Sequence, residues 1–97
     1  MSALDISTVK WVVDTIINMK NSNEEDHSLW LTTMSNVDSL YNNFAGLLKA
    51  DIEGRGGDVI CSNQKKHLVS FRGAFFTIIL ETNTESVNFK IVQYYNP

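Results

Sequence analysis

His67 stands in the one basic concentration of this sequence, close to Lys65, Lys66 and Arg72 and three residues before Ser70. A histidine among cations and beside a hydroxyl suits phosphodiester chemistry, where an imidazole moves a proton and cations hold the phosphate. General acid–base work needs a second titrating partner, however, and the other histidine, His27, lies beside Asp26 in a separate polar segment with no motif joining the two. Charged residues at a turn or a strand edge more commonly serve to prevent edge-to-edge aggregation. Cys61, the only cysteine, sits between Ile60 and Ser62 in an expected strand. There it should face the same way as Val59 and pack as a small apolar group, whereas a nucleophile needs exposure and a base. Gly54-Arg55-Gly56-Gly57 has the composition of an anion cradle. Phosphate-binding loops follow a strand and open a helix, and this one follows a helix and opens a strand, so a plain connection is expected. No Cys/His grouping has zinc-site spacing. Neither an enzyme nor a cofactor or metal site is expected.

Acidic and aromatic side chains remain. Glu24-Glu25-Asp26 forms a short acidic run, and Asp51 and Glu53 add two carboxylates further on. Such groups can stand where phosphates would lie in a basic site, giving steered association and charge-assisted contacts with Arg and Lys of a partner. Trp30 and Tyr94 are amphipathic aromatics of the kind enriched at binding hot spots. On a strand only one of Tyr94 and Tyr95 can face outward. The candidate partner-binding set is therefore Glu24, Glu25, Asp26, Trp30, Asp51, Glu53 and Tyr94.

Ninety-seven residues, 43% apolar and 20% charged, fit one globular domain over residues 1–97 with one core and no room for an interdomain cleft. The net charge of −3 disfavours a grip on a phosphate backbone and favours a basic protein as partner. A lone cysteine forms no intramolecular disulfide, Met1 is not followed by a secretory pattern, and no apolar run approaches the roughly 20 residues of a membrane span. A cytoplasmic protein without a membrane partner is the expectation.

The elements that must position these residues are organised around Ala74-Phe75-Phe76-Thr77-Ile78-Ile79-Leu80. This run is apolar on both alternating sets, which predicts a central strand with cover on two faces. Val87 to Ile91 alternates and should pair back after a polar turn. Asp58 to Ser62 and His67 to Phe71 read as strands joined by a turn at Asn63 to Lys66, with Gly73 marking a bulge, a bend or a full turn. Upstream, Val9, Val12, Val13, Ile16 and Ile17 recur at helical spacing, while Lys10, Asp14, Thr15 and Asn18 take the other face. Trp30, Met34, Val37, Tyr41, Phe44 and Leu48 also recur at helical spacing, with a break or fresh start near Ser35, where Ser35 and Asp38 resemble a capping box. Ser28 to Met34 is either helix or a short strand. Gly46 suggests a close backbone approach. The fold class is α+β: two helices, or three, at the N-terminus, packed on one face of a C-terminal antiparallel meander of three to four strands.

These readings point to a non-catalytic protein-binding module, of the inhibitor or immunity type that neutralises a basic partner such as a toxin nuclease. The alternative is a small nucleic-acid-binding protein or phosphodiester-processing enzyme using Lys65 to Arg72. A homodimer, with a second copy over the doubly apolar strand, is compatible with the first reading.

Overall fold

A computed structural model of the chain describes residues 6–32, 37–83 and 85–95, with the side chains of 37–42 and 95 outside that description. In chain order the elements are α1 (Ile6–Ser22), β1 (Asp26–Thr32), α2 (Val37–Gly54), β2 (Asp58–Ser62), β3 (Lys66–Phe71), β4 (Ala74–Thr82) and β5 (Ser86–Tyr95). The five strands form one antiparallel sheet in the order β1-β5-β4-β3-β2. The fold is α+β, with one correction to the sequence reading. Among the described residues there are two helices, the smaller of the expected numbers, and the sheet has five strands, not three to four, because Asp26–Thr32, between the helices, is a strand. The four C-terminal strands are the expected meander, and β1 joins its end by pairing with β5. No helix among the described residues is long and apolar enough to cross a membrane.

Helix α1 buries Val9, Val12, Val13 and Ile16 of the expected stripe; Ile17 is part-buried and Met19 is buried in addition. Thr15 departs from expectation: it is buried, and its hydroxyl donates to Trp11 O at 2.9 Å, four residues back. Helix α2 contributes Phe44, Leu48 and Ile52. Both helices lie on the same face of the sheet, against Val69, Phe71, Ala74, Phe76, Ile78, Leu80, Val87, Phe89 and Ile91. The Phe44 ring lies 5.5 Å from that of Phe89 and 5.1 Å from that of His67, tying α2 to β5 and β3. Ser35, and with it the proposed capping box, lies outside the described residues.

The helix ends are built by left-handed residues. Asn23 has φ 57°, and Glu24 N donates to Met19 O at 3.0 Å, a six-to-one closure of α1. At the end of α2, Gly56 has φ 88°, Gly57 N donates to Ile52 O at 2.9 Å and Gly56 N to Glu53 O at 3.1 Å, which together make a Schellman motif. Arg72 (φ 50°) and Gly73 (φ 82°) form the two-residue turn between β3 and β4, so Gly73 marks a full turn and the sheet gains a strand there. The other two hairpins share a device: Asn63 Oδ1 accepts from Lys65 N and Lys66 N, and Asn83 Oδ1 accepts from Glu85 N and Ser86 N.

The close backbone approach expected at Gly46 occurs instead at Gly57. A Cβ on Gly46 would meet nothing within 4 Å, whereas one on Gly57 would lie 2.7 Å from Ser70 O. Gly46→Ala should therefore stabilise the domain by up to about 1 kcal/mol, the helix-propensity difference. Gly57→Ala should cost about 1–3 kcal/mol through overpacking. Urea unfolding of the two variants, read as midpoints at constant slope, checks the opposite signs.

Candidate functional site

Strand alternation assigns each residue of the sheet to the helix-covered face or the opposite, outer face. The registers line up the outer side chains in rows across the strands: Trp30, Asn88 and Glu81; Ser28, Lys90, Ile79 and Lys66; Asp26, Val92, Thr77, Leu68 and Cys61; Tyr94, Phe75, Ser70 and Asp58. Among the described residues no element lies over this face. In its middle Leu68, Phe75, Ile79 and Val92 are part-buried around buried Thr77, with exposed Lys90 beside Ile79. Its margin carries Trp30, 63% exposed, and Tyr94, 50% exposed. A concavity of about 360 Å3, lined by Cys61, Ser62, Asn63, Lys66, Leu68 and Thr77, opens at the β2 side.

Three of the residues anticipated from sequence, Asp26, Trp30 and Tyr94, share this face, with Trp30 towards one end of it and Tyr94 towards the other. Glu25 continues the ladder beyond β1, its carbonyl accepting from Gln93 N at 2.8 Å, and Glu24 precedes it. Glu24 is engaged, since His27 Nδ1 lies 2.8 Å from its Oε2. Asp51 and Glu53 belong to α2, on the other side of the sheet. Asp51 Oδ2 is 3.2 Å from Arg55 Nε, and Arg55 Nη1 also donates to Asp14 Oδ1. The Asp14 hydrogen bond foremost, with the charge of Asp51 adding, raises the Arg55 pKa above its ordinary value. The Gly54 to Gly57 stretch thus ties α2 to α1 through its arginine.

One residue that sequence reasoning passed over holds this corner together. Gln93 occupies an inward position on β5, and its Nε2 donates to Met19 O at 3.1 Å and Glu24 O at 2.7 Å. With its own N–H on Glu25, Gln93 pins the end of α1 and the start of β1 to β5. A polar residue in the inward phase of an otherwise apolar alternation, Val87, Phe89, Ile91, Gln93, was the available signal.

The basic segment is split by the same alternation. His67 is fully buried on the helix side, Ser70 faces outward, and Arg72 lies in the β3–β4 turn with its guanidinium 4.9 Å from the centre of the Phe71 ring. His67 Nδ1 is hydrogen-bonded to Ser62 Oγ at 2.8 Å, while its Nε2 is buried without a hydrogen-bond partner among the described residues. Cys61 is exposed, contrary to the packing expected for it. The ladder shifts register between Val59 and Cys61, so the extra residue Ile60 turns Cys61 to the face opposite Val59.

Comparison with models of known protein families, with curated proteins and with solved structures returned no significant match.

Burial lowers the His67 pKa from 6.5 to about 4, because the charged ring would lose its water. A depressed histidine is neutral in the folded state and takes up a proton on unfolding. Its contribution is therefore intact above pH 6.5 and is lost as the pH falls towards 4, at about 1.4 kcal/mol per unit. Stability of the wild type minus that of His67→Gln, followed by urea unfolding, should fall by about 3 kcal/mol across that window. A pH-independent difference would mean that the ring is hydrated.

Proposed function

We propose that this domain is a non-catalytic protein-binding module that works through the outer face of its sheet. The reading rests on one observation: both helices cover one face of a strand, β4, that is apolar on two, which leaves Phe75 and Ile79 part-buried on the outer face with part-buried Leu68 and Val92, Phe75 next to exposed Tyr94, and exposed Trp30 at the margin of the same face. A contiguous apolar patch with a polar rim is the usual anatomy of a protein contact surface. The concavity at Leu68 offers a seat for one anchoring side chain of the partner.

The partner inferred is a basic protein. Carboxylates stand on the outer face at Asp26, Asp58 and Glu81, against the lysines Lys66 and Lys90; Glu25 adjoins Asp26 in the alternate phase of the ladder, and the whole chain carries −3. An inhibitor or immunity-type protein that covers the functional surface of a basic toxin or enzyme domain fits this chemistry, because acidic side chains there steer a cationic partner and occupy its phosphate-binding groups. Neutral, core-facing His67 offers nothing to a phosphodiester, and this favours the binding reading over one that uses Lys65 to Arg72 as a unit.

With the partner captured from the native host and purified, Glu25→Lys with Asp26→Lys should slow association about tenfold at low salt, with the effect shrinking as salt rises. Trp30→Ala should mainly raise the dissociation rate, by about tenfold or more if it is a hot spot. Surface plasmon resonance over a salt series measures both. Rate constants unchanged in both variants would refute the proposed surface.

A further inference from the structure

The two edges of the sheet are not alike. At one edge β2 is five residues long, is interrupted by the shift at Ile60, and leads into Lys65 and Lys66. A short strand, a bulge and lysines are the usual guards against edge-to-edge pairing. At the other edge β1 has none of these. Asp26-His27-Ser28-Leu29-Trp30-Leu31-Thr32 pairs with β5 in unbroken register, contains no proline, lysine or glycine, and places Leu29 and Leu31 on the covered face.

The phase of the ladder shows which backbone groups line that edge. Gln93 N donates to Glu25 O, and Glu25 lies opposite Gln93 in the continued register. Odd-numbered residues of β1 therefore direct their N–H and C=O towards β5, and Asp26, Ser28 and Trp30 direct theirs away from the sheet. Side chains and backbone point in different directions, so Trp30 presents its ring to the outer face and its amide to the edge.

The geometry points to a second copy of this chain as the occupant of that edge, two β1 strands pairing antiparallel about a two-fold axis at Leu29. Strand β1 is self-complementary in this register. Leu29 meets Leu29 of the second copy, each Ser28 meets a Trp30, each His27 a Leu31 and each Asp26 a Thr32. Every outward-facing residue then lies opposite another outward-facing one, as antiparallel hydrogen-bonded pairs require. No like charges oppose each other, because the acidic runs Glu24-Glu25-Asp26 lie at opposite ends of the paired strands. All seven residues of β1 take part. Ten strands become continuous and the two outer faces lie flush, with the Trp30 rings close to the two-fold. This assembly is compatible with partner binding through the outer face and doubles the surface available for it.

Strand pairing alone buries less than a standard interface, so the dimer should dissociate on dilution between about 500 μM and 5 μM. Sedimentation velocity on the full chain should show a shift from twice 11.0 kDa towards 11.0 kDa over that range. Two double variants test the register, both at exposed side chains: Ser28→Lys with Trp30→Lys sets lysines opposite lysines and should leave only monomer, whereas Ser28→Lys with Trp30→Glu sets opposite charges together and should restore the dimer. Ile79→Lys, on the outer face away from the edge, should leave the dimer unchanged. Circular dichroism identifies any variant that fails to fold, and the Lys/Glu pair is compared directly with wild type. A wild-type monomer at every concentration would overturn the proposal. So would a dimer that survives the Lys/Lys variant, or one abolished by Ile79→Lys.

Discussion

Strand β4 has apolar residues on both sides, and this chain supplies helical cover for one. Phe76, Ile78 and Leu80 are buried under α1 and α2, whereas Phe75 and Ile79, of the alternate set, are only part-buried. Burial of apolar area is the dominant favourable term in folding and in association alike, at about 25 cal/mol per Å2. A strand placed centrally for the first purpose thus keeps an unspent driving force for the second. The placing of β1, the corner at Gln93 and the tether at Arg55 all serve to hold the helices on the one side.

Those tethers explain how the chain positions its surface. Gln93 joins β5 to two neighbouring segments far upstream in sequence, the last turn of α1 and the acidic run that follows it. Its contribution lies less in the net energy of its bonds than in satisfying buried carbonyls at a helix end. The acidic run is thereby held on a rigid element, where charges keep a fixed arrangement towards a partner. Buried polar groups elsewhere follow the same logic. Asn88 Nδ2 donates to Leu29 O at 3.0 Å between β5 and β1, and Ser62 holds the His67 ring against Phe44.

Much of the sheet was legible in the sequence, because alternation and turn chemistry are local: β2 to β5 fall where apolar periodicity and the Asn63, Gly73 and Asn83 turns place them. The strand β1 was ambiguous for a specific reason. Trp30, Met34 and Val37 happen to fall at helical spacing across a boundary, with Trp30 in a strand and Val37 in a helix. Cys61 was assigned to the wrong face because one inserted residue, Ile60, reverses all phase beyond it. Gly46 and Gly57 show that a glycine's role depends on what lies opposite, a non-local fact. Of the proposed contact residues, Asp26, Trp30 and Tyr94 share a face, whereas Asp51 and Glu53 were grouped with the acidic run by charge alone and lie on the helical layer.

Whether the outer face is the working surface can be tested before the partner is identified. A photo-crosslinking amino acid placed at Ile79 or Tyr94, and separately at Lys10 or Glu53 on the helical layer, would be activated in the native host and the adducts analysed by mass spectrometry. The same basic protein should be joined from both outer-face positions and from neither helical position, and the adduct should form again with the two purified proteins. Adducts arising from the helical positions instead, with none from Ile79 or Tyr94, would contradict the account.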